Sequence, residues 1–182
     1  MRTRPEIIAD AAVTVVSRDG LRGLTHRAVD AEAALPAGST SNCYRNREAL
    51  LGAIVERVEE LDTAALTAGP AVDVSSVGTI ATYLADRVHA MTTPRRVRAT
   101  RARVALLLEE SAVAVREGGH FRLLGMLEGM LRDLEHPAPE RAARAVADLL
   151  EGALVHAIAV RSRTIDTAAL ADAVQRLLQW RE

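Results

Sequence analysis

Residues 24–47 read LTHRAVDAEAALPAGSTSNCYRNR and carry side chains suited to hydrogen-bonding a nucleic acid. Gly38, Ser39, Thr40, Ser41 and Asn42 are all small, and most are polar, so a helix built from them can bring its backbone close to base edges. Asn pairs bidentately with adenine, and a Ser or Thr hydroxyl can donate to or accept from any base. Tyr44, Arg45 and Arg47 follow where a next helix would begin, and guanidinium groups and helix N-termini both attract phosphate oxygens. The competing reading of these residues is a helical hairpin with an ordinary polar surface.

The elements that must position them are helical. Ile7, Ile8, Ala11, Ala12, Val15 and Val16 recur at spacings of one and four and make one apolar stripe, which Asp19-Gly20 ends. Thr25 is placed to cap a second helix reaching about residue 34. Leu35-Pro36 interrupts it, because proline disfavours helix at the residue before it. A short third helix is predicted over about 37–44, and Asn46 caps a fourth whose buried face reads Leu50, Leu51, Ile54, Val55, Val58 and Leu61. A helix, a tight break and a short polar helix form the layout of a helix-turn-helix unit, whose second helix lies in the major groove.

Thr67–Ser76, with Gly69 and Pro70, is the best candidate boundary. Beyond it helices are predicted near 74–91, 95–117, 120–135, 139–162 and 166–180, with breaks at Thr93-Pro94, Gly118-Gly119, 136–139 and 161–166. No stretch alternates with the period of a strand. The expected class is therefore all-α: an N-terminal three-helix head over 1–63 and a C-terminal helical bundle over 64–182.

Composition narrows the function. With 49% hydrophobic residues and 26% charged ones, the 182-residue chain is globular, and with 2% aromatics its core must be mainly Ala, Leu, Val and Ile. The single cysteine, Cys43, excludes a disulfide framework and a Cys-based zinc site within one chain. The N-terminal MRTRPEIIAD lacks the apolar run of a signal peptide, and no stretch of about 18 apolar residues follows, so a soluble cytoplasmic protein is expected. An all-α enzyme is disfavoured, since no nucleophile–base pairing, phosphate loop or metal-ligand spacing is visible. No cofactor is expected.

Other residues admit two readings each. Arg95, Arg96, Arg98, Arg101 and Arg103 form either an anion site or a solvated helix face that Glu109-Glu110 could pair with. The histidines at 26, 89, 120, 136 and 156 include no pair at helical metal spacing. His156 is either a hydrogen-bonded interface residue or a ligand contact. Cys43, beside Arg45 and Arg47, is either inert or a redox-sensitive thiol. Met91, Met126 and Met130, with Leu123, Leu127 and Leu131, make either ordinary core or an adaptable pocket. Gly125 and Gly129 allow close helix approach or leave room for a ligand.

Across residues 4–60 the chain resembles the TetR-type (TetR/AcrR) transcriptional regulators. The matches are Arg4 through Gly20, Leu24-Thr25, Arg27, Leu35-Pro36, Gly38-Ser39-Thr40, Tyr44-Arg45-Asn46-Arg47 and Glu48-Ala49-Leu50-Leu51. Residues 102–110 (ARVALLLEE) add a weaker likeness to the central helices of some members. The chain departs from the pattern at Ala34, where the turn usually has glycine, and at Cys43-Tyr44, where an aromatic pair is usual.

The resemblance implies a ligand-responsive homodimeric repressor that binds a palindromic operator in double-stranded DNA. Thr25 and His26 would contact phosphate, and Arg27 phosphate or a base edge. Thr40, Ser41 and Asn42 would face the groove, while Ser39, Tyr44 and Arg47 hold the DNA backbone beside Arg45. Dimerisation would use the helices near 139–162 and 166–180, through Ala142, Ala145, Val146, Leu149, Ala153 and Ile158. An unidentified small-molecule effector would meet Met91, Arg103, Leu107, Met126, Met130 and His156. The alternative is a helical dimerisation or small-molecule-binding protein whose DNA-binding head has degenerated. Charge lends that alternative weight: residues 1–63 hold eight Arg and ten acidic residues. Over residues 1–47, however, seven Arg face five acids, and phosphate contacts need only a local basic patch.

Overall fold

The computed structural model describes residues 2–67, 73–107, 109, 113–160 and 164–179, of which 65–67 and 113–122 are described as backbone only. All regular structure among them is helical: α1 (Arg4–Gly23), α2 (His26–Glu32), α3 (Ser39–Cys43), α4 (Arg47–Thr67), α5 (Val77–Thr92), α6 (Val97–Leu106), α7 (Val113–Asp133), α8 (Pro139–Ala159) and α9 (Thr167–Leu178). No helix among the described residues is long and apolar enough to cross a membrane.

The chain forms two compact units, Met1–Gly69 with Val97–Glu117, and Pro70–Arg96 with Gly118–Glu182. These do not follow a single cut at residue 63. The segment carrying α6, assigned from sequence to the C-terminal part, packs with the first unit, where Ala102 and Leu106 join its core.

In the first unit α1 is the central helix, touching α2, α4 and α6. A capping box starts it: Thr3 Oγ1 accepts from the Glu6 N–H at 3.4 Å, and Glu6 accepts from the Thr3 N–H at 2.8 Å. The expected stop at Asp19-Gly20 is present as a kink, with Gly20 at φ 68°. The stripe Ile8, Ala12, Val15 and Val16 meets Val29 of α2 and Leu50, Leu51, Ile54, Val55 and Val58 of α4 in one core. Asn46 caps α4 as expected, its Oδ1 accepting from the Ala49 N–H at 2.8 Å. On α1, Asp10 accepts from Arg57 of α4 at 2.6 Å, so an ion pair reinforces the apolar seam.

Helix α2 ends in a paired-bond C-cap. The Leu35 N–H donates to the Asp30 carbonyl at 3.0 Å and the Ala34 N–H to the Ala31 carbonyl at 3.2 Å, which requires the left-handed conformation at residue 34. Ala34 adopts it, with φ 53°. An L-residue there costs about 1–2 kcal/mol, more than the roughly 0.5–1 kcal/mol of extra ordering entropy that glycine brings. Ala34→Gly is therefore expected to raise the thermal midpoint by about 1–4 °C, and Ala34→Val to lower it. A lower midpoint for A34G would show that the turn is not strained.

The second unit packs α5, α8 and α9 against the C-terminal half of α7. Ile80, Leu84 and Val88 of α5, Leu127 and Leu131 of α7, Val146 and Leu150 of α8, and Val174 and Leu178 of α9 share its core. Two expectations are corrected. The helix predicted over 95–117 ends at Leu106, where the chain leaves through turns from Leu107 N–H to Val104 carbonyl and from Glu109 N–H to Leu106 carbonyl. The expected break at Gly118-Gly119 lies inside α7, since glycine lowers helix propensity without forbidding helix. Of the proposed dimer face, Ala142 and Val146 are buried in this unit's own core, because α8 turns them toward α5 and α7.

Candidate nucleic-acid interface

Asp30 is the side chain that sets α3 on α2. It is buried, and each oxygen of its carboxylate has a distinct task. Oδ2 accepts from the Gly38 N–H at 2.8 Å, and Oδ1 accepts from the Thr40 N–H at 2.7 Å and the Thr40 hydroxyl at 2.6 Å. Burial alone would push the carboxyl pKa up, but the bonds from Thr40 and Gly38 and the nearby His26 together hold it below the ordinary carboxylate range. A depressed folded-state value contributes stability above the ordinary carboxylate pKa that is lost as pH falls through the folded value. The clamp is thus intact throughout the neutral range.

Gly38, at φ 91°, turns the chain into α3. At the other end of α3 His26 Nε2 meets the Tyr44 carbonyl at 2.7 Å, and since a carbonyl only accepts, that nitrogen carries the proton. The Tyr44 ring and Cys43 pack partly against the head core. Burial pushes the Tyr44 phenol up, so it stays a neutral donor near pH 7.

This clamp separates the expected DNA contacts into two groups. Thr40 is a correction: at 0% exposure, with its hydroxyl and amide both on Asp30, it does not face a groove. Ser39 is a second one, at 7% exposure with its hydroxyl donating to the Pro36 carbonyl at 2.6 Å. The polar character that suggested base contacts at these positions instead satisfies the turn.

His26 acts inward through Nε2 rather than outward. Arg47 is exposed but braces the loop before α2, donating to the Leu24 carbonyl at 2.8 Å and the Leu21 carbonyl at 2.6 Å. Arg47→Met is expected to cost about 1–2 kcal/mol in chemical denaturation, because two charge-assisted bonds to backbone are lost at an exposed site. Unchanged stability would reduce Arg47 to a surface charge.

The other group is exposed on one short stretch: Thr25, Arg27, Ser41, Asn42 and Arg45. The Thr25 Oγ1 accepts from the Ala28 N–H at 3.1 Å, which leaves its hydroxyl proton to donate outward. Ser41 bonds back to the Gly38 carbonyl at 3.0 Å and keeps its lone pairs. Arg27, Asn42 and Arg45 have no side-chain hydrogen bond or ion pair among the described residues. Elsewhere in the unit Arg2, Arg18 and Arg57 are paired with carboxylates. Arg27 and Arg45, unpaired among the described residues, thus precede and follow in sequence the two exposed polar side chains of α3. Asp30 was not among the residues singled out from sequence, and Arg22, exposed just before α2, was not either.

The expected effector residues are not brought into one unit. Arg103 and Leu107 belong to the first unit, where Arg103 lies 3.7 Å from Asp62. Met130 is core of the second unit, with Met91 and Met126 packed against that core, while His156 is exposed on α8. An added Cβ at Gly125 or Gly129 would meet nothing among the described residues, so neither glycine serves close packing against them. Glu110 and the His120 side chain lie outside the described residues. No cluster that could hold a metal ion occurs among the described residues.

No protein-family model matches the chain, and no curated protein matches it. Solved structures do match. A member of the TetR family from Streptomyces coelicolor A3 aligns with a TM-score of 0.75 and 22% identity, covering 98% of this chain and 100% of that one. The fold is that of the TetR family. Two further structures with this architecture are the multidrug binding protein EbrR complexed with ethidium (TM-score 0.78, 23% identity, 98% of this chain and 100% of that one) and a transcriptional regulator from Rhodococcus sp. Rha1 (0.78, 18%, 97% and 94%). The match to each spans nearly the whole chain. Both units, not only the head, thus have the fold of these structures, where the sequence resemblance was strong only over residues 4–60.

Proposed function

We propose that this chain is a sequence-specific DNA-binding regulator of transcription that acts as a homodimeric repressor on a palindromic operator. The observation that carries the reading is the outer face of α2 and α3. Ser41 and Asn42 stand exposed on the clamped α3, and Arg27 of α2 and Arg45 just past α3 are exposed with no side-chain partner among the described residues. In function the DNA-reading part is 1–63 and the effector and dimer part 64–182. Helix α6, which the sequence assigns to the second part, packs on α1 and α4 of the first.

The dimer would form through α8 and α9. Ala145, Leu149 and Ala153 are only half-buried, Gly152 is exposed, and Leu177 remains 44% exposed on α9. Such a row of small and apolar side chains suits close helix packing. A small-molecule effector bound in the second part would select one spacing of the two heads and so release DNA. EbrR holding ethidium and, in another structure, malachite green supports effector binding on this fold.

Selection of duplexes from a random pool at about 150 mM salt tests the reading. An enriched palindrome is the expected result. No enrichment by a folded, dimeric protein would overturn it in favour of a dimeric binding protein with a degenerate head.

A further inference from the structure

Helix α3 is short and its side chains are polar, so burial does little to orient it. Ser39 and Thr40 face inward through hydrogen bonds, and only Cys43 at its end and Tyr44 beyond it contribute apolar packing. The rotation of α3 about its own axis is what decides that Ser41 and Asn42 point out while Thr40 points in. At the N-terminal end of α3 one side chain, Asp30, holds that rotation, while His26 holds the Tyr44 carbonyl at the other end. The two oxygens of Asp30 hold the amides of residues 38 and 40, and Oδ1 holds the Thr40 hydroxyl as well.

We infer that Asp30 is a positioning residue for DNA reading, setting through Gly38 and Thr40 which side chains of α3 reach the bases. The inference rests on the DNA-binding function proposed above. Two fixed bonds to backbone amides two residues apart define both the height and the rotation of the helix, where a single bond would leave a pivot. A slip of α3 by one residue would break both. The contact also explains a hydroxyl at residue 40, which lies where no base can reach it.

The chemistry separates the variants. In Asp30→Asn the volume is kept, but an amide has one acceptor oxygen, and its NH2 must face either the Gly38 or the Thr40 amide, donor against donor. Thr40→Val replaces the hydroxyl donor, 2.6 Å from the buried Oδ1, with a methyl group that cannot approach so closely, so the carboxylate is pushed off and its bonds to the two amides are loosened. Thr40→Ser keeps the hydroxyl bond and the backbone one.

The test uses the full chain, the duplex enriched from the random pool and an unrelated duplex of the same length, each titrated over a range of salt. D30N and T40V are expected to lose about tenfold or more in affinity for the enriched duplex, with the affinity and salt slope on the unrelated duplex unchanged. T40S is expected to stay within about twofold of the parent. A purely structural loss would lower both affinities together through the folded fraction, so the ratio of the two is the decisive quantity. An unchanged ratio in D30N and T40V overturns the inference. Should D30N fail to fold by circular dichroism, T40V alone decides.

Amide hydrogen exchange on the free proteins gives a readout that needs no DNA. Faster exchange at Asn42 and Tyr44, with α1 and α4 unchanged, is expected in D30N and T40V. Uniform or absent change contradicts the positioning role. If the parent enriches no duplex while this selective change occurs, the DNA reading fails and the clamp on α3 stands.

Discussion

Replacing Arg27 and Asn42 together by Ala is expected to lower affinity for the enriched palindrome on the order of a hundredfold or more, with the fold intact. Asn42 is the exposed α3 side chain best suited to a bidentate base contact, and each such pair is worth roughly 1–3 kcal/mol of discrimination. Arg27 stands at the start of α2, exposed and without an internal partner, where a phosphate contact is the natural use. Its loss should reduce the slope of log affinity against log salt by about 0.9 for each phosphate contact removed. N42A should instead leave that slope alone and relax the preferred sequence at one position of each half-site. Because both side chains are exposed, the melting curve should move by no more than about 0.5 kcal/mol equivalent. Undiminished affinity in the double variant would remove α3 from the DNA interface.

Gly152→Glu is expected to convert the dimer to a monomer. A Cβ at residue 152 meets nothing among the described residues, so the substitution meets no clash there and improves local helix propensity by up to about 1 kcal/mol. Between two copies the same site would be closely packed, and a buried carboxylate without a partner there costs several kcal/mol. The sedimentation mass should fall from twice 19.5 kDa to 19.5 kDa. Operator affinity should fall with it, because a single head keeps one half-site. Leu177→Glu on α9 should act in the same direction. An unchanged mass in both variants would move the dimer contact away from α8 and α9.

Much of the architecture was legible in the chain because it rests on local signals. The α1 stripe, the Gly20 stop, the Thr25 and Asn46 caps and the fourth helix all follow from side-chain period and capping chemistry, and all stand in the structure. The break after Leu106 and the continuous α7 were not legible, since propensity favours helix past Leu106 and weakens it at Gly118-Gly119, the reverse of the outcome. The placing of α6 with the first unit depends on contacts distant in sequence, which no local pattern encodes.

The candidate interface divides the same way. Residue types marked 25–47 as polar and basic, and Arg27, Ser41, Asn42 and Arg45 are exposed there. Which polar residues turn inward was not legible. Ser39 looks like a contact to the DNA backbone and Thr40 like a base-reading residue until the Pro36 carbonyl and the Asp30 carboxylate are seen to occupy them. The nearest sequence signal was an acid at residue 30, beside Val29 on a helix whose neighbouring side chains are needed for the core. In the effector part, dispersed Met and Leu residues gave no way to tell a pocket lining from core, and Met130 proves to be core.

The central claim is that two copies present two α3 helices to successive turns of one DNA face. Duplexes carrying two copies of the enriched half-site, with centres separated by about 10, 13, 15 or 20 base pairs, test it directly, because one helical turn is about 10–10.5 base pairs. Affinity is expected to peak at the natural spacing, with one dimer bound per duplex, and to collapse toward the single-half-site value when about 5 base pairs place the second half-site on the opposite face. Affinity independent of spacing, or equal to that of one half-site, would contradict a two-headed reader.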